Sequence, residues 1–423
     1  MNAVIDERAD QIDPGHEGSI REAISDYRDK IRGGDLGSLP AILGLIAIVI
    51  IFGVMQGKTF LSAANFANLL TQSSMVMVLA MGLVFVLLLG EIDLSAGFAA
   101  GTCAAVLGVT LTMKGWPWYL AMVAALVTGA LIGLLIGVLV ARLGIPSFVV
   151  TLAMFLALQG LMLLIIGEGG TIRVSADTGG PILGIENNNM TIIGGWILFL
   201  VVVGGYALTT GLRLRKRLSQ GLTTQAPSVW LLKVIGLAVI YGLFTWFLSQ
   251  ERSQRPDVTS IMGVPYIVPL IIVLLVFLTF VLGRTAFGRH IYAVGGNTEA
   301  ARRAGISVQG IKIACFVICS TMAGVAGILF ASRDNSVSPS TGGSTTLLYA
   351  VAAAVIGGTS LFGGRGRVLD AVLGGLVVAV IGNGLPLITQ QAGIQFIVTG
   401  LVLLVAASVD ALSRRRSASS GRA

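Results

Sequence analysis

The sequence predicts an all-α polytopic membrane protein of about 10 to 12 transmembrane helices, in two related halves with broken, Gly-interrupted helices near the centre. Three observations carry this. Hydrophobic residues make up 55% of the 423 and charged residues only 11%, with a mean hydropathy of +0.90, whereas an average soluble domain is about 25% charged. Apolar runs of about 17 residues or more recur along the chain, and about 20 helical residues cross a bilayer. The charges are gathered between these runs.

Residues 1–38 read as a cytoplasmic tail. Nine acidic residues lie between Asp6 and Asp35. Within it, SIREAISDYRDKI sets Ile20, Ile24, Tyr27 and Ile31 at helical spacing, which predicts a short amphipathic helix on the membrane surface or against a cytoplasmic partner. The permease domain spans 39–412. Its first apolar run, from Leu39, follows the long charged tail without a clear cleavage site, so it is expected to stay in the membrane. Further segments begin near Gln72, Gly97, Trp118, Pro146, Ile192, Trp230, Pro265, Ile311, Leu347, Val368 and Ile394. Polar or Gly-rich breaks interrupt the second, third, tenth and eleventh. The fourth carries Gly129, Gly133 and Gly137, a doubled small-xxx-small pattern that lets another helix approach closely. A basic cytoplasmic tail, 413–423, ends the chain.

With a cytoplasmic N-terminus, all but six of the 28 Lys and Arg fall on or near the inside. The exceptions are Lys58, Lys114, Arg173, Arg252, Arg255 and Arg333. RLRKR, within an extra basic loop at 211–228, and the RRR of the C-terminal tail obey the positive-inside rule. Topology therefore accounts for the net charge of +8, and no nucleic acid partner is implied. Cys103, Cys315 and Cys319 lie in apolar segments with no ligand spacing to His16 or His290. They read as small buried hydrophobes, and no metal or other cofactor is expected. GVMQGKT at 53–59 imitates a phosphate loop, but three residues separate Gly53 from the Gly-Lys pair where four are needed. The chain is therefore read as carrying no ATP site and catalysing no reaction of its own.

The stretch VFVLLLGEIDLSAGFAA, 84–100, holds Glu91 and Asp93, the only acidic residues between Asp35 and Glu168. At a bilayer centre each would cost about 2.5 to 3.5 kcal/mol. Three readings stay open: acceptors for backbone N–H groups freed at a helix break, a proton or cation relay, or, with Ser95, a polar lining for a hydroxyl-rich solute. Laying the chain on itself brings GEIDLSAG over GGTSLFGG, so that Gly90 meets Gly357, Leu94 meets Leu361 and Gly97 meets Gly364. FVVTL at 148–152 resembles FIVTG at 396–400 in a different register. Thr359 and Ser360 thereby join the candidate path, and the acid-free counterpart weakens the relay. The second and tenth segments run in the same direction by this count, so an inverted repeat requires one central or broken segment not to cross. Gly-interrupted segments in corresponding positions are a pointer to a substrate pathway.

A coupling loop is expected at 283–312. NTEAARRAG offers Asn297 or Thr298 as N-cap, Glu299 in the first turn, Arg302 and Arg303 near the end and Gly305 as a stop, which predicts a helix of about two turns. So short a helix is unstable alone and must be held by its own membrane domain or by a partner. RDNSVSPSTGGS at 333–344 and the segment 167–189 are polar, Gly-rich and expected outside, as connectors or as a docking surface for an external protein.

GEIDLSAG, PSFVVTLAM, RTAFGRHIYAVGGNTEAARRAGI and VIGGTSLFGGRG resemble the permease subunits of bacterial ABC importers for monosaccharides. Glu91 before IDLS and the loop RLRKRLSQGLTTQAPS look like the xylose-transporting branch. The likeness runs from about Leu39 to Arg415. It implies a multi-pass inner-membrane subunit with a second permease copy, two copies of an ABC ATPase subunit that hydrolyse ATP, and an external sugar-binding protein. Asn297 to Gly305 would be the coupling helix seated in the ATPase, and Glu91 to Gly97 and Gly357 to Gly364 the broken segments beside the path. The long acidic tail departs from the family pattern. A secondary transporter using Glu91 or Asp93 is the competing reading; a channel is disfavoured, since no charge ring or carbonyl filter is evident.

Overall fold

The computed structural model describes residues 38–167, 170–222 and 226–402, together with 404 and 408. The amphipathic helix expected in the first tail and the basic tail at 413–423 lie outside the described residues. Every apolar segment expected from sequence forms a helix, and ten are long and apolar enough to cross a membrane. In chain order the helices are α1 (Leu39–Phe60), α2 (Ala63–Leu88), α3 (Ala96–Gly108, extended by a π-turn over Val109–Met113), α4 (Trp118–Ala141) and α5 (Ser147–Ile166). Next come the short α6 (Ala176–Asn187), then α7 (Ile192–Ser219), α8 (Pro227–Leu248), α9 (Ile267–Arg284), α10 (Ala286–Gly296) and α11 (Thr298–Arg303). The last are α12 (Val308–Asp334), α13 (Gly343–Gly357), α14 (Val368–Ile388) and α15 (Ala392–Val402).

The centre is an antiparallel pair, α2 and α12. At one end Arg333 donates to Thr71 Oγ1 (3.2 Å) and Asn68 Oδ1 (3.5 Å). Midway, Gly82 lies against the Cys319 backbone and Met322. At the other end Glu91, just past α2, is ion-paired with Lys312 in the first turns of α12. From Thr71 to Glu91 is about 30 Å at 1.5 Å per residue, the thickness of a hydrocarbon core.

A second pair of contacts has the same logic. A Cβ on Gly129, Gly133 or Gly137 of α4 would lie 2.4 Å from Ser320 O, 2.4 Å from Phe316 O and 2.8 Å from Ile313 Cα, all on α12. The small-residue stripe thus brings the two backbones together. On the other side α14 packs on α2, with Gly375 against Met77, and Asn383 accepting from Asn65 Nδ2 (2.8 Å) and donating to Gln72 (3.4 Å).

Helices α3 and α13 begin inside the bundle and run apart. Gly327, about 22 Å along α12 from Lys312, meets Ala100 and Ala104, so α3 starts near mid-depth. It starts beside the beginning of α13, where a Cβ on Gly97 would fall 2.2 Å from Gly343 O. The halves are therefore inverted: α2, α3 and α4 correspond to α12, α13 and α14, and FVVTL in α5 corresponds to FIVTG in α15. The break equivalent to 89–95 is 335–342, and the alignment of GEIDLSAG with GGTSLFGG is corrected accordingly. The two loops look alike because each reverses the chain with left-handed glycines, Gly90 in one and Gly363 and Gly364 in the other. Each also caps itself two residues on, Asp93 Oδ1 accepting from Ser95 N and Ser360 Oγ from Phe362 N.

The fold has a basic end and an opposite end. The six Lys and Arg expected outside all lie at the opposite end, and the other thirteen described ones lie at or near the basic end. At the opposite end, strands β1 (Ile172–Arg173) and β2 (Ser336–Val337) pair antiparallel, joining the two polar segments that sequence placed there. Among the described helices, α7 and α8 are mostly exposed; aromatic contacts of Phe66 with Phe244 and Phe247 (both 5.7 Å) attach them to α2.

Candidate functional site

The break between α2 and α3 is built from short polar side chains. Gly90 turns the chain with φ of 73°, and Glu91 N donates back to Val86 O (3.2 Å). Ile92 is held from α5: its N–H donates to Ser147 Oγ (3.3 Å) and its carbonyl accepts from Thr151 Oγ1 (3.2 Å). Both residues belong to the PSFVVTL motif, one turn apart on one helix face. Asp93 is fully buried; its Oδ1 accepts from Ser95 N (2.9 Å) and Ser95 Oγ (2.6 Å), opening α3 with an Asx turn. The Cys319 thiol lies beside it. Asp93 Oδ2 has no hydrogen-bond partner among the described residues.

Thr359 and Ser360 lie elsewhere. Thr359 N caps α13 on Ala354 O (3.0 Å) and Ser360 N donates to Arg365 O (2.8 Å), both at the basic end. The five candidate path residues therefore do not form one cluster: Asp93 and Ser95 are interior, and Glu91, Thr359 and Ser360 belong to the basic-end loops. Those two loops do touch, through Gly364 N donating to Leu88 O (2.8 Å) and through Gly90 against Phe362 and Gly363.

The two-turn helix expected in the coupling loop is α11. Asn297 is its N-cap, accepting from Ala300 N (2.9 Å); Glu299 faces Arg302 (3.2 Å) and Arg303 (3.4 Å) on an exposed side; Gly305 ends it with φ of 82°. Thr298 Oγ1 donates to Val294 O (2.9 Å), tying it to α10. Helix α10, which sequence did not anticipate, is capped by Thr285 and buries Ile291 and Val294. It rests at once on the end of α2, where the first break begins, and on the basic-end loop that follows α13. Tyr292 OH donates to Gly366 O (2.7 Å), and a Cβ on Gly295 would fall 1.8 Å from Leu88 O and 2.8 Å from Gly364 N. The short helix is thus held by its own membrane domain, with its charged face open.

A family described as the branched-chain amino acid transport system / permease component matches residues 65–407, a span that includes both breaks and the α10–α11 loop. The chain belongs to this family. The xylose transport system permease protein XylH of Escherichia coli (strain K12) is 37% identical over 381 residues, 89% of this chain and 92% of that protein. XylH of Haemophilus influenzae is 34% identical over 90% of this chain and 98% of its own length. The ribose import permease protein RbsC of E. coli (strain K12) is 31% identical over 88% and 92%. No solved structure matches the chain.

This permease also uses residues that sequence reasoning passed over. Lys312 is the first; it stands alone as a charge in the first turns of α12, which was a usable signal. Ser147 and Thr151 carry no signal of their own within the PSFVVTL motif. At the opposite end Ser74 Oγ donates to Glu186 Oε1 (2.5 Å), and Glu186 N donates to Ser332 Oγ (3.2 Å), fastening α6 to α2 and α12. Burial pushes the Glu186 carboxyl up to about 8, opposed by the Ser74 bond and the Arg333 charge and assisted by Asp334.

Proposed function

We propose that this permease is the membrane subunit of an ATP-driven ABC importer for a monosaccharide, with D-xylose as the first candidate. It works as two permease copies in a bacterial inner membrane, with both termini cytoplasmic. Two copies of a separate ATPase subunit dock at the basic end, and an external binding protein delivers the sugar at the opposite end. One observation carries the reading: a capped, charge-exposing helix, α11, is seated through α10 on both Gly-interrupted loops. That is the form of a part that receives motion from outside the membrane. The names of the relatives supply the sugar class, and positive-inside charge supplies the orientation. Asp93 and Ser95 offer polar atoms near mid-depth where a sugar passes with weak, exchangeable contacts.

The test is co-expression with the ATPase and binding protein encoded nearby, measuring ATP hydrolysis and uptake across pentoses and hexoses in proteoliposomes. A pentose-selective stimulation with xylose first is expected. No stimulation by any sugar, with wild-type assembly, would sink the proposal.

A second reading rests on the unpartnered Asp93 Oδ2: a proton-coupled secondary transporter. Glu91 is paired with Lys312, which supports a structural part for that acid. Uptake by the permease alone, driven by a pH gradient, would favour it.

A further inference from the structure

Three segments meet at the basic end, and they are joined more firmly than packing alone requires. The end of α2, the loop 363–366 and α10 touch backbone to backbone at Leu88, Gly364 and Gly295, where a side chain on Gly295 would collide with the neighbouring chain and a Cβ on Gly364 would lie 3.3 Å from Gly296 Cα. Beside this junction Glu91 is ion-paired with Lys312, each side chain about one-fifth exposed or less (16% and 21%). Lys312 stands one turn into α12, the helix that α11 leads into. Glu91 stands two residues before Asp93, on the strand of chain that rises to the start of α3. The pair therefore bridges the exit of the coupling loop and the break beside the interior.

We propose that Lys312 and Glu91 form the positioning contact that transmits coupling-loop motion into the α2–α3 break. The inference rests on the reading of α11 as the ATPase-coupling helix. Rigid glycine contacts alone fix α10 to the ends of α2 and α13, but they give no hold on Glu91 to Ser95. The ion pair supplies it: when α12 is displaced with α11, the Lys312 charge draws Glu91, and with it the Ile92–Asp93 backbone at the base of α3. A partly desolvated, hydrogen-bonded charge pair is well suited to this, since parting it leaves a charge unpaired.

The experiment uses the assembled importer with its ATPase and binding protein. Glu91→Gln, Lys312→Met and the exchanged pair Glu91→Lys with Lys312→Glu are compared for ATPase co-purification, ATP hydrolysis and uptake. Each single variant is expected to keep co-purification while uptake per ATP hydrolysed falls about tenfold, ~1.4 kcal/mol of coupling. The exchanged pair is expected to restore that ratio to within about threefold. Single variants with the wild-type ratio, or an exchanged pair no better than either single variant, would overturn the proposal. Failure of the wild-type chain to hold the ATPase at all would instead sink the parent reading. Hydrogen exchange on the wild-type importer needs no variant. Protection at 91–95 should change together with that at 286–303 when the ATPase is trapped by vanadate, and a change in the loop without one at 91–95 also overturns the proposal.

Discussion

Raising the pH should loosen α6 from the membrane bundle, and Glu186 should be the cause. Its Oε1 takes the Ser74 hydroxyl at 2.5 Å, its backbone N–H is held by Ser332, and its Oε2 has no partner among the described residues. Burial makes the charged form costly and lifts the carboxyl from 4.5 to about 8; the groups facing it are Ser74 on α2 and Arg333 and Asp334 on α12. Detached, the same carboxyl would ionise near its ordinary value. Between those values the attached state binds the extra proton, so its stability is intact below about 4.5 and is lost as pH rises toward 8. At 1.36 kcal/mol per unit the full span is an upper bound of ~5 kcal/mol. The assay is hydrogen exchange of 176–187 at pH 5, 6.5 and 8.5, expressed as protection factors so that intrinsic exchange chemistry cancels. Protection should fall with pH in the wild type and stay level in Glu186→Gln. The same pH dependence in both proteins, or protection that rises with pH, would refute the argument.

Gly133→Leu must part α4 from α12, whose Phe316 carbonyl lies 2.4 Å from the added Cβ; a loss of about 1–3 kcal/mol is expected by thermal unfolding in detergent, while Gly160→Ala, with open space, should cost nothing. Ser147→Ala with Thr151→Val strips both partners from the half-buried Ile92 backbone, and a loss of about 1 kcal/mol per hydrogen bond should appear in the same measurement. Deleting 297–305 should separate ATP hydrolysis from uptake with membrane insertion intact, and uptake at the full rate would show that α11 does not couple. Asp93→Asn keeps an oxygen for the Ser95 N–H, so uptake should persist, whereas Asp93→Ala removes the acceptor of the Ser95 N–H and hydroxyl and should lose about 1 kcal/mol of stability; abolished uptake in the Asn variant would instead support proton carriage.

The apolar segments were legible because hydropathy over a bilayer's length is a strong and local signal. Boundaries were less so. Helix α2 begins at Ala63, not near Gln72, because its polar first turns are partnered within the fold: Ser62 caps Asn65, and Asn65, Asn68, Thr71 and Gln72 find partners on α12 and α14. The α11 cap was legible because Asn297, Glu299 and Gly305 act within one another's reach. Helix α10 was hidden by its glycines, of which Gly295 serves contact with the distant Leu88 and Gly364 backbone. Glu91 and Lys312, 221 positions apart, could not be paired without the fold. The repeat was mis-registered because turn chemistry recurs wherever a chain reverses.

The two interior breaks are satisfied differently, and this gives the bundle a direction. The second largely closes on itself: Ser338 N donates to Thr341 Oγ1 and Thr341 N to Ser338 O (both 2.9 Å), after which Gly342 and Gly343 lead into α13. Its upstream end is tied to the opposite face through β2 and through Val174 N on Asn335 O (2.9 Å). The first break borrows its partners, Ser147 and Thr151 from α5 and Lys312 from α12. Its ties therefore lead to the basic end, where α10 and α11 sit. The starts of α3 and α13 press together at Gly97 and Gly343 without room for a Cβ on Gly97, so the helices that leave the two breaks are in direct backbone contact. A continuous line of contacts thus joins the basic end, through the first break and the second, to β2 at the opposite end.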